Sequence, residues 1–230
     1  MNTAIILAGG RGSRMQSDIP KQYIQLGGRP LLFYTIDAFE KCSDIDDIIL
    51  VASDEYMEYC RFEIVEKYNL KKVSSIVVGG KERYDSVFQG LKQVHDRNIG
   101  NVLIHDGARA CVNEDVIKRC IDGAGQYQAC IAAVPVKDTI KVADAEGFAS
   151  HTPDRKMLWQ IQTPQAFQTA LIYEAYKKMY ADVQKGNITD DAMVVEKYTD
   201  ADVKLVMGDY HNIKVTTPED LDIAKLFLNI

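Results

Sequence analysis

The stretch Leu7-Ala8-Gly9-Gly10-Arg11-Gly12-Ser13-Arg14-Met15, closed by Pro20-Lys21-Gln22, constrains the fold of this chain more than any other. An apolar run, Ala4 to Leu7, feeds it and a helical pattern follows. The glycines therefore sit where a buried strand delivers backbone to the carboxyl edge of an open α/β sheet, the edge at which such sheets bind ligands. Without a Cβ, Gly9, Gly10 and Gly12 let the backbone bring its N–H groups against phosphate oxygens, while Arg11, Arg14 and Lys21 add positive charge. The loop reads as a polyphosphate cradle. It is not a P-loop, because no Gly-Lys-Ser/Thr closes it and Lys21 follows a proline. As a dinucleotide fingerprint it is partial: Gly10-x-Gly12 is present, but Met15 stands where a third small residue would let helix and strand pack closely. The bland alternative is a tight surface turn with solvated cations, and three glycines with three cations exceed what a connection needs.

The continuous apolar run at 48–52 has the pattern of a parallel strand covered on both faces, 73–78 supplies a third strand, and 102–104 and 129–136 read as further buried strands. The intervening spacing predicts helices over 30–41, over 55–68 with Ser53-Asp54 as cap, from about Ser86, and from an Asn113 cap to about Gly125. Further on it predicts helices over 169–180 and 192–198, strands over 203–207 and 212–216, and a last helix docked on the sheet and opened by Thr217-Pro218-Glu219-Asp220. From Lys137 to Trp159 charged residues, Gly147 and Pro153 break the pattern. That segment is read as an excursion, a β-arm that leaves the domain and returns.

With 230 residues, 47% of them hydrophobic, the chain can bury a large core, and one domain over 1–230 is expected. A net charge of −6 argues against a general nucleic-acid surface and makes the cations of the first loop a local exception. Five cysteines without zinc spacing are expected to be reduced and buried. No run approaches the roughly 18 apolar residues of a membrane span and no basic n-region precedes the first strand, so a cytoplasmic location is expected.

Two further strand ends carry candidate chemistry. Asp106 follows the 102–104 run, where a carboxylate can hold Mg²⁺ together with substrate phosphates and water; the alternative is a turn or cap residue. His105 lacks a second histidine at ligand spacing and reads as packed or hydrogen-bonded. Gly79-Gly80, with Ser86 near the next helix start, repeats the geometry of the first loop; an ordinary βα connection explains the spacing equally well. Asp190-Asp191 suits a helix N-terminus better than a metal.

The segment Leu7 to Lys21 resembles the L-A-G-G-x-G-x-R-M … P-K signature of sugar-nucleotide pyrophosphorylases and cytidylyltransferases. Across the chain, Gly79-Gly80, Arg83, Asp85-Ser86-Val87, His105-Asp106, Ala108-Arg109, 135–139, Asp154-Arg155, Leu158-Trp159, Thr163-Pro164-Gln165, Thr189-Asp190 and Asn212-Ile213-Lys214 fall in the order of the 2-C-methyl-D-erythritol 4-phosphate cytidylyltransferase family. Ribitol-5-phosphate cytidylyltransferases share most of these motifs and are the alternative; Asp154-Arg155 with Leu158-Trp159 looks more like the methylerythritol branch. Lys81, Gly107 and Ala110 depart from the family pattern, which often has an acid at the first.

The resemblance implies a Rossmann-like three-layer α/β/α sandwich with a mostly parallel sheet and a protruding β-arm at about 138–159 that builds a homodimer. It implies that Ala8, Gly9, Gly10, Gly80 and Ser86 surround cytosine and ribose, that Gly12, Arg14 and Lys21 hold the triphosphate, and that Asp106 holds Mg²⁺. Arg109, Thr139, Arg155, Thr163, Thr189 and Lys214 would line the acceptor pocket, with Arg14, Lys21 and Lys214 carrying the catalysis. The implied reaction is attack of a phosphate monoester on the α-phosphorus of CTP. A nicotinamide oxidoreductase would need an acid at the end of a second strand about 20 residues past the loop, where Asp37 and Glu40 lie instead on the predicted helix. A non-catalytic nucleotide-binding protein would have no use for Lys21, Asp106 and Lys214 together.

Overall fold

The computed structural model describes residues 1–10, 15, 19–94 and 100–230. In chain order the first elements are β1 (Asn2–Ala8), a short hairpin of β2 (Gln25–Leu26) and β3 (Arg29–Pro30), α1 (Leu31–Lys41) and β4 (Asp47–Ala52). A broken helical segment follows, with a single α-turn α2 (Met57–Tyr59) between a 3₁₀ turn and a π-type stretch, and then β5 (Val73–Val78), α3 (Arg83–Val94) and β6 (Asn101–Asp106). The second half has α4 (Glu114–Tyr127), β7 (Ala129–Pro135), an exposed hairpin of β8 (Val142–Ala143) and β9 (Ala149–His151), and the long strand β10 (Trp159–Gln168). It closes with α5 (Thr169–Ala181), α6 (Asp191–Tyr198), β11 (Lys204–Met207) and α7 (Pro218–Leu228).

Seven strands form one sheet in the order β11-β7-β10-β6-β1-β4-β5. All pairings are parallel except those of β10, which runs antiparallel between β6 and β7. Side chains alternate across a strand. Accordingly Ala4, Ile6, Ile48 and Leu50 join α1 and α4 in one core, while Ile5, Ile49 and Val51 join α3, α5 and α6 in another. These are the three layers that the family resemblance implies.

Several expectations are corrected. Segment 159–168, to which the pattern assigns no strand, is an interior strand of the sheet that runs antiparallel to both neighbours. Residues 212–216 form no strand: the Val215 N–H donates to the Ala108 carbonyl, and Val215 and Asn212 carbonyls accept from Lys21 and Arg109 side chains. Ser53 makes no side-chain cap, and the helix after it is broken into short pieces. The final helix docks on a third cluster, Leu26, Leu31, Ala108, Ala110, Cys111 and Val215, rather than on a sheet face. Asn113 does cap α4, accepting from the Val116 N–H at 2.9 Å, and all five cysteines are free and buried.

Candidate active site

Three parallel strands, β1, β5 and β6, deliver the site at their carboxyl ends. Where β1 ends, the Gln22 amide donates to the carbonyls of Ala8 (2.5 Å) and Gly10 (2.9 Å), pinning the first glycines from behind. Among the described residues nothing lies within 4 Å of a Cβ built on Gly10, which lines the cleft. Beyond β5, the Gly80 N–H donates to Ser86 Oγ at 3.1 Å; a Cβ on Gly80 would collide with Asp85 and one on Gly79 with Ser86. Gly80 is thus closed to larger residues by the start of α3, whereas at Gly79 the Ser86 hydroxyl would have to give way. Gly12 and Arg14 lie outside the described residues.

Asp106 ends β6 at the centre of a cluster of cations. Lys214 Nζ lies 2.7 Å from one carboxylate oxygen, Arg83 Nε 3.2 Å from the other, and Arg109 Nε 3.9 Å away. Burial would raise the Asp106 carboxyl, but Arg83, Lys214 and Arg109 hold it well below the usual carboxylate range, so it is ionised. Behind it, burial pushes the His105 imidazole down to about 3. Neutral His105 must donate through Nε2 to the Arg109 carbonyl (3.2 Å), which leaves Nδ1 to accept from the Thr163 hydroxyl (3.0 Å). Thr163 Oγ in turn accepts from the Asp106 N–H at 3.1 Å.

Arg83, Asp106 and Lys214 line a cleft of about 310 Å³. Its walls carry Lys21, Lys81, Arg83 and Lys214 against Glu82 and Asp106, an excess of positive charge on an acidic chain. Lys21 Nζ donates to the Val215 carbonyl at 2.6 Å, so the ammonium groups of Lys21 and Lys214 flank one short segment. A second cavity of about 350 Å³ shares Lys214 and Thr216 with the first and contains Arg109, whose Nη1 donates to the Asn212 carbonyl at 2.8 Å. Two compartments meeting at one lysine suit a reaction between two anionic substrates. Asp106 offers the hard, ionised oxygen that Mg²⁺ prefers, with phosphates and water to complete the shell. Among the described residues no group of three or more His, Cys, Asp or Glu side chains is placed to hold a metal ion.

Of the sequence candidates, Gly9, Gly10, Lys21, Gly80, Ser86, Asp106 and Lys214 come together at the cleft, with Ala8 directly behind it. Thr163 is buried with its hydroxyl committed to His105 and Asp106. Thr139, Arg155 and Thr189 are absent from the walls of both compartments in the single chain. Arg83 was seen only as part of a motif. A cation in the first turn of α3 opposes the helix dipole, and that misfit is the signal that it answers to carboxylates elsewhere.

The family model of 2-C-methyl-D-erythritol 4-phosphate cytidylyltransferase (IspD) matches residues 2–230. The chain belongs to this family. A relative of that name from Lachnospira eligens is 54% identical over 228 residues, covering 99% of both chains. Another of that name, from Caldanaerobacter subterraneus subsp. tengcongensis, is 47% identical and covers 98% of both. The crystal structure of 4-diphosphocytidyl-2C-methyl-D-erythritol synthase from Anaerococcus prevotii superimposes with a TM-score of 0.86 at 37% identity, covering 100% of this chain and 96% of that one. The cytidylyltransferase family thus accounts for the whole chain and for its Rossmann-like α/β architecture.

Proposed function

We propose that the cleft around Asp106 is the transfer centre at which this cytidylyltransferase joins CTP to 2-C-methyl-D-erythritol 4-phosphate, giving 4-diphosphocytidyl-2-C-methyl-D-erythritol and pyrophosphate. The second pKa of a phosphate monoester is about 6, so near neutral pH the acceptor is already an anionic nucleophile and needs no general base. Its oxygen forms the new bond to the α-phosphorus as the bond to the β-phosphate oxygen breaks, and pyrophosphate carries away the electron pair. The protein's task is electrostatic: two anions must approach, and charge builds on the α-phosphate and the leaving group. Lys21 and Arg14 meet the triphosphate, Lys214 meets the acceptor phosphate at the junction of the compartments, and Ala8, Gly9, Gly10, Gly12, Gly80 and Ser86 hold the nucleoside and phosphates. Arg109 and Thr163 support the acceptor side. Mg²⁺ bound at Asp106 would supply further charge neutralisation to the phosphates.

The chain acts as one nucleotidyltransferase unit over 1–230 whose arm, about 138–159, pairs two copies and carries Arg155 to the acceptor phosphate in the partner's site, with Thr139 and Thr189 lining the acceptor pocket. Exposed apolar residues on and beside the hairpin, Phe148 (72%) and Met157 (78%), support this reading. Free thiols suit a cytoplasmic location.

The observation that carries the proposal is the meeting of Lys21, Lys214 and Asp106 at one glycine edge. Pyrophosphate release from CTP is expected with methylerythritol phosphate and Mg²⁺, and to be far slower with ribitol 5-phosphate; a preference for ribitol phosphate would reassign the acceptor. For the arm, a mixed dimer of one Lys21→Ala and one Arg155→Ala chain should regain about half the activity if sites are shared, since one site then holds both native residues. A folded but inactive mixed dimer would reject the shared site.

A further inference from the structure

The Thr163-Pro164-Gln165 and Thr189-Asp190-Asp191 stretches converge beneath the cleft. On β10, Gln165 Oε1 accepts from the N–H groups of Asp191 and Ala192 (3.0 Å each), and its Nε2 donates to Asp190 at 3.0 Å. The first turn of α6 is thereby tied to the sheet, with the Asp191 side chain turned wholly inward (0% exposed). There the Tyr176 hydroxyl donates to Asp191 Oδ1 at 2.6 Å, and Arg83 Nη1 lies 2.8 Å from Oδ2. The same guanidinium reaches Asp106 through Nε at 3.2 Å. A continuous polar chain, Tyr176 to Asp191 to Arg83 to Asp106 to Lys214, runs from the core to the cleft wall.

A buried carboxylate and arginine pair contributes little stability that apolar packing could not supply, so its presence here calls for another explanation. The planar guanidinium, held between two carboxylates at fixed positions, cannot rotate without breaking one contact, which no ammonium could reproduce. Fixing Arg83 fixes one Asp106 oxygen and leaves the other toward Lys214 and the substrates. We propose that Asp191 and Tyr176, which lie outside the cleft, are positioning residues for cytidylyl transfer, acting through Arg83 to orient the Asp106 carboxylate; this rests on the place given to Asp106 above.

The test is a double-mutant cycle of Arg83→Met and Asp191→Asn, with Tyr176→Phe and Asp106→Asn beside it. Asp191→Asn should lower kcat about 10 to 100-fold, the usual effect of losing a partner that orients a metal-ligating group, while calorimetric CTP affinity stays near the wild-type value. Tyr176→Phe should act in the same direction and less. Added to Arg83→Met, Asp191→Asn should cost nothing more in kcat, because its path is already cut. Costs that add in the double variant, or a lowered thermal midpoint with wild-type kcat in the folded fraction, would overturn the proposal. If Asp191→Asn does not fold, folded Tyr176→Phe decides: reduced kcat at unchanged CTP affinity supports the proposal and wild-type kcat overturns it. Inactive Asp106→Asn with fully active Asp191→Asn overturns this inference alone, whereas active Asp106→Asn overturns the transfer centre and the inference with it.

Discussion

The parallel strands β6, β1 and β4 and the antiparallel strand β10 beside them are held in the sheet by different means. β4 is buried at every position, and β1 and β6 nearly so, with cores of Ile, Leu, Val and Ala on both faces. β10 buries Gln162, Thr163 and Gln165, each with a designated partner: the Asp209 carbonyl at 2.7 Å, Asp106 with His105, and the start of α6. Packing without direction is enough to present glycine backbone at an edge. Holding the Asp106 backbone and the start of α6 in place takes directed hydrogen bonds, and β10 supplies them through Thr163 and Gln165.

The division of labour can be broken at Asp106 first. Asp106→Asn should abolish divalent-dependent turnover, a loss of at least about 100-fold, with the fold intact by circular dichroism. Among the parallel strands, Leu50→Ala should cost about 2 to 5 kcal/mol of stability in urea unfolding, yet leave kcat of the folded fraction near wild type, because Leu50 is fully buried in β4 away from the cleft. Gln165→Leu should cost less, about 1 to 3 kcal/mol, by stranding the Asp191 and Ala192 N–H groups, but it should also lower kcat. A kcat loss in Leu50→Ala, or none in Gln165→Leu, would erase the contrast. The smallest effect is Gly123→Ala, whose Cβ would lie 2.6 Å from Cys130 Sγ: overpacking partly offset by helix propensity should leave a net loss of about 1 kcal/mol.

The parallel half was legible because burial on both faces writes continuous apolar runs into 48–52 and 102–104, while 73–78, at the sheet's edge and only partly buried, still reads as a strand although Ser74 and Ser75 interrupt it. The glycine edge and Asp106 were legible with it, since strand ends locate them. β10 was not, because Pro164 and three polar residues within 162–165 resemble a loop. Its burial depends on partners far away in sequence, such as Asn212, whose Nδ2 donates to the Thr163 carbonyl at 2.8 Å. For the same reason Thr163 and Gln165 stood out as motif residues while their work in holding the Asp106 backbone and the start of α6 did not. Residues 212–216 misled in the opposite sense: β-prone side chains there serve a segment whose backbone groups bond to Lys21, Arg109 and Ala108 rather than to a strand.

The central claim is that charge gathered at the parallel edge acts on the transition state rather than on nucleotide binding, and Lys21→Ala tests it most directly when saturated turnover and CTP affinity are measured on the same preparation. Turnover should fall roughly 100 to 1,000-fold, as for loss of one such electrostatic contact, with CTP affinity only modestly weaker and the thermal midpoint nearly unchanged. Collapse of CTP affinity with saturated turnover preserved would contradict the account.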